Sequence, residues 1–220
     1  MDIIFDMDGV IIDSSISVIN RIKQVAQVFR FDISNKDLKK YIGYSPESTF
    51  TDLSESYKFN TAYEVLEAAE LYIKLFWERP IEEAVVYPGI LKEIQDLIIR
   101  YGSMLYIVTG RPLSATTAIL KHYNLVKYFS IIESASNRNK SIVVKELINH
   151  YELNKDDCYL IGDRDIDIKA AIDNKIFSIG AAWGFGGVEE LREAGAKCIV
   201  ETPSKLIDGI LFVKEEMEEQ

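Results

Sequence analysis

Several marks of common functional classes are scarce or missing in this chain. It carries two cysteines and two histidines in 220 residues. Cys158 and Cys198 both sit in apolar, strand-like runs, which suits reduced packing residues rather than a disulfide or a metal site. His122 and His150 lie on amphipathic segments without obvious partners, so no Ser-His-Asp arrangement can be assembled. Basic residues are the minority, with 25 Lys and Arg against 35 Asp and Glu and a net charge of −10. That balance denies the chain the basic face that a nucleic acid or an anionic membrane requires. No apolar run has the length of a membrane span, and Met1 leads straight into Ile3, Ile4 and Phe5 without a basic leader. The expectation is a cytoplasmic protein with neither a nucleic-acid nor a membrane partner.

Apolar residues are plentiful, at 48%, enough to bury a real core. They fall into short runs: Ile3–Phe5, Met104–Val108, Phe129–Ile132, Cys158–Ile161, Ile176–Ile179 and Cys198–Val200. Runs that are apolar on both faces are characteristic of buried parallel strands. Between them, Leu91, Ile94, Leu97 and Ile98 form one helical stripe, and Val144, Leu147, Ile148 and Tyr151 form another. The alternation predicts an α/β fold with a doubly wound, mainly parallel, Rossmann-like sheet.

The interval 14–80 breaks this pattern. It holds no convincing strand, but Ile22, Val25, Ala26 and Phe29 keep helical spacing, as do Ala62, Leu66, Ala69, Ile73, Phe76 and Trp77. Ser45-Pro46 reads as a cap followed by proline in the first turn, and Thr61 with Glu64 reads as a capping box. An all-α insertion over 14–80, a cap domain, is expected after the first strand, with 1–13 and 81–220 forming the α/β core.

Four strand ends carry polar residues that suggest chemistry. Asp6-Met7-Asp8-Gly9-Val10 follows the first run, where doubly wound folds bind ligands. Two carboxylates two residues apart on an extended chain point the same way, repel, and need a cation or a shared proton. Idle, solvated loop acids are the plainer reading. Thr109-Gly110-Arg111-Pro112 follows the second run, and its hydroxyl and glycine N–H suit a small anion cradle, though such junctions are common. Lys140 lies in a polar stretch after the third run, within reach of a phosphate or a carboxylate; taken singly, a surface lysine explains it as well. Gly162-Asp163-Arg164-Asp165-Ile166-Asp167 follows the fourth run. Asp163 and Asp167 lie one turn apart and can offer oxygens to magnesium, or merely favour a helix dipole.

In chain order these segments resemble the four motifs of the haloacid dehalogenase superfamily. The likeness extends to Lys169-Ala170-Ala171 and Ala182-Trp183-Gly184-Phe185-Gly186, as in its phosphoglycolate-phosphatase-like branch with a helical cap. The resemblance implies a Mg²⁺-dependent phosphatase acting on a small phosphorylated metabolite, as a monomer or homodimer. It implies Asp6 as nucleophile, Asp8 as acid and base, and Thr109, Gly110 and Lys140 as phosphate contacts. Mg²⁺ is implied on the Asp6 carboxylate, the Asp8 carbonyl and Asp163, with Asp167 in support. Tyr44, in Tyr41-Ile42-Gly43-Tyr44, falls where the cap's substrate-facing loop lies in such proteins; packing within the cap is the alternative for both tyrosines. An acid at position 8 favours phosphoryl transfer over carbon–halogen cleavage, which has no alkoxide to protonate. A sugar phosphomutase, a pyrophosphatase or a nucleotidase shares these motifs. A receiver-like or non-catalytic phosphate-binding module is the reading from another class. Arg164 and the Gly110-Arg111 pair depart from the family's usual residues, and their roles are open.

Overall fold

A computed structural model describes residues 1–34, 38–42, 46–57, 62–79, 81–136 and 138–218. The described residues separate into two compact units, 1–13 with 85–220, and 14–84.

In the first unit six strands form one parallel sheet: β1 (Asp2–Phe5), β4 (Met104–Thr109), β5 (Ile131–Ser134), β6 (Cys158–Gly162), β7 (Phe177–Ala181) and β8 (Cys198–Val200). Their order is β5-β4-β1-β6-β7-β8. After β1 the chain runs outward through β4 and β5, then returns to the other side of β1 for β6, β7 and β8. The order therefore reverses at β1, the place where doubly wound sheets bind ligands at the strands' carboxyl ends. Two short strands, β2 (Ile12–Asp13) and β3 (Val85–Val86), pair antiparallel in a separate ribbon; the apolar pattern did not announce them.

The helices of this unit are α4 (Ile90–Tyr101), α5 (Leu113–His122), α6 (Lys140–His150), α7 (Asp165–Asn174), α8 (Gly187–Glu193) and α9 (Leu206–Glu218). Val143, Val144, Leu147 and Ile148 of α6 join Ala170 and Ala171 of α7 against Ile4, Tyr106, Val108 and Leu160 of the strands. Alternate strand residues thus serve one face of the sheet. On α4 the buried stripe is Ile90, Ile94 and Leu97, whereas Leu91 is exposed. The stripe is turned because Glu93 is also buried, its Oε2 accepting the Ile207 N–H at 3.1 Å. Tyr151 lies beyond the end of α6 and is 40% exposed. The third strand begins at Ile131 rather than Phe129. A 3₁₀ turn at Val126–Tyr128 precedes it, and Phe129 packs edge-on against Phe5.

The second unit contains α1 (Ser15–Phe29), α2 (Pro46–Tyr57) and α3 (Ala62–Glu78). Ile22, Val25, Ala26, Phe50, Leu53, Ala68, Ala69 and Phe76 form its core, with Val65 and Tyr72 packed against it. Aromatic rings order this core: Phe50 with Tyr72, Tyr72 with Phe76, and Phe76 with Trp77. Leu66, expected inside, is 52% exposed. The buried face of α3 runs through Val65, Ala68, Tyr72 and Phe76, because the two small alanines admit the neighbouring helices. Segment 81–84 belongs to this unit: Arg21 pairs with Glu82 at 3.1 Å, and the Asn20 amide bonds Glu83. Tyr41 is buried, its hydroxyl donating to Asp52. Tyr44, the Ser45 cap, Thr61 and Pro80 lie outside the described residues. Among the described residues no helix is long and apolar enough to cross a membrane.

Candidate active site

The carboxyl ends of β1, β4 and β6 and the start of α6 bring the polar residues together. Asp6 follows β1 directly, and its N–H donates to the Ile161 carbonyl at 2.8 Å, which holds the chain against β6 beyond the strand end. The chain then turns back: the Met7 carbonyl accepts from the N–H groups of Ile11 and Ile12, both at 2.9 Å. Gly9 takes φ of +79°, and a Cβ there would lie 2.0 Å from Asp163 Oδ2. Glycine is thus required twice over, for the left-handed turn and for the close approach.

Lys140 is the first residue of α6 and is not in a surface loop. Asn139 caps the helix, its side-chain oxygen accepting from the Ser141 and Ile142 N–H groups. The Lys140 side chain turns inward, 8% exposed at the residue level, with Nζ 3.0 Å from Asp6 Oδ1 and 2.5 Å from Asp167 Oδ1. Asp167 is fully buried; its Oδ2 accepts the Arg164 N–H at 3.1 Å and so closes the first turn of α7. Asp163, 1% exposed, accepts the Phe185 N–H on Oδ2 at 2.7 Å. Its Oδ1 is buried with no hydrogen-bond partner among the described residues. Carboxylate oxygens of Asp6, Asp163 and Asp167 lie within 4.8 Å of one another.

Three acids around one lysine leave the pocket with excess negative charge. Burial pushes the Asp6 carboxyl up to about 7; Asp167 and Asp8 add to the rise and Lys140 opposes it. Asp163 is raised well above the usual carboxylate range, by burial first and then by Asp167 and Asp6. Burial disfavours the Lys140 ammonium, but the facing Asp167 and Asp6 outweigh it, so its affinity for the proton is raised. A hard divalent cation fits this set. Oxygen donors converge, one of them is buried and unsatisfied, and the acids would ionise more readily beside positive charge.

Asp8 lies just past the strand, where period-two alternation no longer governs side-chain direction, and its carboxylate faces Arg111. Repulsion between the two acids is relieved by giving each its own cation, Lys140 for Asp6 and Arg111 for Asp8. Thr109 is buried at the end of β4, and its Oγ1 accepts the Arg111 N–H at 3.2 Å. Gly110 is exposed beside it, and Pro112 is the residue just before α5 rather than its first.

Four contributors escaped the sequence reading. Arg111 was noticed without a role. The Phe185 N–H is a backbone donor that no side chain advertises. Trp183 donates its indole N–H to the Val10 carbonyl at 3.1 Å and ties the Asp6–Gly9 turn to the segment after β7. Glu190 accepts from Arg164 Nε at 2.7 Å and from the Asp165 N–H at 2.9 Å, which directs the Arg164 side chain to α8. An acid in the first turn of α8 was the available signal, and it resembles any dipole-favouring glutamate.

The parallel sheet, with three carboxylates and a lysine gathered at its reversal point, is a doubly wound, Rossmann-like α/β fold carrying an acidic, cation-fitting cluster. The chain belongs to the haloacid dehalogenase-like hydrolases: the model of that family matches residues 3–181. It is 28% identical over 195 residues to a 5'-nucleotidase of Pseudomonas aeruginosa, spanning 87% of this chain and 86% of that one. It is 22% identical over 218 residues to a phosphoglycolate phosphatase of Vibrio cholerae, spanning 95% and 96%. Among solved structures, a predicted phosphatase from Clostridium acetobutylicum superposes with a TM-score of 0.81 at 30% identity, covering 96% of this chain and 98% of that one.

Proposed function

We propose that the protein is a Mg²⁺-dependent phosphatase that hydrolyses a small phosphate monoester through an aspartyl-phosphate on Asp6. The observation that carries this reading is the convergence of Asp6, Asp163, Asp167 and Lys140 at the end of β1. The Asp6 carboxylate, the Asp8 carbonyl and Asp163 would hold the cation, with Asp167 behind them. Bound there, Mg²⁺ supplies positive charge that lets the anionic substrate approach the acids.

An Asp6 carboxylate oxygen attacks phosphorus, and the bond from phosphorus to the ester oxygen breaks with its electron pair on that oxygen. The Asp8 carboxyl gives that oxygen its proton. Water then attacks the phosphorus, the Asp8 carboxylate takes a proton from it, and the bond to Asp6 breaks, releasing inorganic phosphate. Splitting one displacement into two lowers each barrier, and proton transfer at Asp8 contributes about 10²–10⁴-fold. Lys140, the Thr109 hydroxyl and the Gly110 N–H meet the charge on the transferring oxygens. In this reading unit 14–84 is the counterpart of the family's helical cap.

The test is an assay on p-nitrophenyl phosphate with Mg²⁺, then on a panel with 2-phosphoglycolate, nucleoside 5'-monophosphates, sugar phosphates and pyrophosphate. Asp6→Asn removes turnover on every member while the circular dichroism spectrum is kept, and EDTA removes the parent's activity until Mg²⁺ is restored. Turnover by Asp6→Asn at the parental rate, or full activity in EDTA, overturns the reading.

A further inference from the structure

The guanidinium of Arg111 lies on Asp8 as a fork. Nε donates to Oδ2 at 2.9 Å and Nη2 to Oδ1 at 2.5 Å, so both carboxylate oxygens are gripped. The two side chains are unequally placed: Arg111 is 1% exposed and Asp8 24%. The arginine is thus shielded from solvent, whereas part of the Asp8 side chain stays accessible.

The backbone that carries Arg111 is also fixed. Its N–H donates to Thr109 Oγ1 at 3.2 Å, and its carbonyl accepts the Ser134 hydroxyl at 2.8 Å. Ser134 Oγ in turn accepts the Ser136 N–H at 3.2 Å. One short network thus links the ends of β4 and β5 to the Asp8 carboxylate.

A planar fork that meets both oxygens fixes the plane and the rotation of a carboxylate, which a point charge cannot do. Proton transfer needs the donor oxygen held at hydrogen-bond distance, about 2.6–3.2 Å, from the oxygen it protonates. We infer that Arg111 is a positioning residue that orients Asp8 for proton transfer and makes no contact with substrate. Its burial supports this over a phosphate-binding role.

The inference rests on Asp8 acting as the acid of the proposed reaction, so its test separates the two. With Asp6→Asn first shown to be inactive, kcat/KM is measured for Arg111→Met on an alkyl phosphate and on p-nitrophenyl phosphate. The alkoxide depends on protonation, whereas p-nitrophenolate leaves nearly unaided. We expect kcat/KM to fall about 10–100-fold on the alkyl ester, part of the general-acid contribution, and less than about threefold on the aryl ester. Inhibition by inorganic phosphate stays within about twofold of the parent, and Arg111→Lys falls between parent and Arg111→Met on the alkyl ester. On the same ester Asp8→Asn/Arg111→Met is no slower than Asp8→Asn, because the two act as one unit. Equal losses on both esters with phosphate inhibition weakened about tenfold or more make Arg111 a substrate contact and overturn the inference, as does additivity in the double variant. Should Arg111→Met not fold, Arg111→Lys decides: parental rates on both esters refute the positioning role. Activity retained by Asp6→Asn sinks the underlying mechanism instead.

Discussion

The two units solve opposite problems. Unit 14–84 is held mainly by aromatic and aliphatic packing; its buried Arg21 reaches the half-exposed Glu82, and the buried Tyr41 gives its hydroxyl to Asp52, which with Lys40 is largely exposed. The α/β unit buries Asp6, Asp163, Asp167 and Lys140 in its interior, where isolated charge is costly. Packing in the first case is its own stabiliser. In the second, every buried group depends on its neighbours or on a ligand, so the same sheet that gives rigidity also stores electrostatic stress where phosphate chemistry is proposed.

Lys140→Met should break the contrast most strongly. It leaves Asp6 and Asp167 facing each other without their ammonium. We expect activity to fall about 10²–10³-fold and stability to drop by about 3–5 kcal/mol. Steady-state rates and urea unfolding check both, and a stable, active variant would show the charges to be independent. Phe50→Ala, in the core of unit 14–84, should cost about 3–5 kcal/mol, and the loss should be indifferent to Mg²⁺. Unfolding curves with and without Mg²⁺ test this; a cation-dependent loss would mean that the two units share one stabilising source.

A smaller effect depends on pH. Because Asp6 is raised in the folded chain to about 7, the folded state holds its proton more tightly than the unfolded state does. Its contribution is complete below the unfolded value near 4 and is lost as pH rises toward 7. In EDTA, stability should therefore decline across that interval, and Asp6→Asn should flatten the decline. Urea midpoints at pH 5 and pH 7 report the difference, and identical slopes in parent and variant would refute it. The smallest change is Tyr41→Phe, which removes the hydroxyl from Asp52 and should cost about 0.5–1.5 kcal/mol, measured as a shift in Tm.

These contrasts also explain what could be read in advance. Strand positions were legible from the apolar runs because a buried parallel strand admits few polar residues, and the acids at their ends followed from them. Lys140 looked like a loop lysine because the Asn139 cap sits within a polar stretch that masks the helix start. The Arg111–Asp8 fork was not legible, since the two residues are joined only by the pairing of β1 with β4. In α3 the spacing was correctly helical, and Ala69 and Phe76 are buried as expected, but Leu66 is exposed and Ala68 holds the close-packed face beside Ala69.

Gly184 has a bearing on how the molecule is made. A Cβ there would lie 2.3 Å from the Asp163 Cβ and 2.5 Å from the Gly9 carbonyl oxygen, so this glycine closes the pocket wall opposite the first turn of the chain. As a nascent chain leaves the ribosome, the nucleophile candidate emerges early, yet its wall arrives only after β7 has been synthesised. The acidic pocket is thus among the later parts of this unit to mature, and a growing polypeptide cannot grip a cation there in its final geometry until most of its length is already in place.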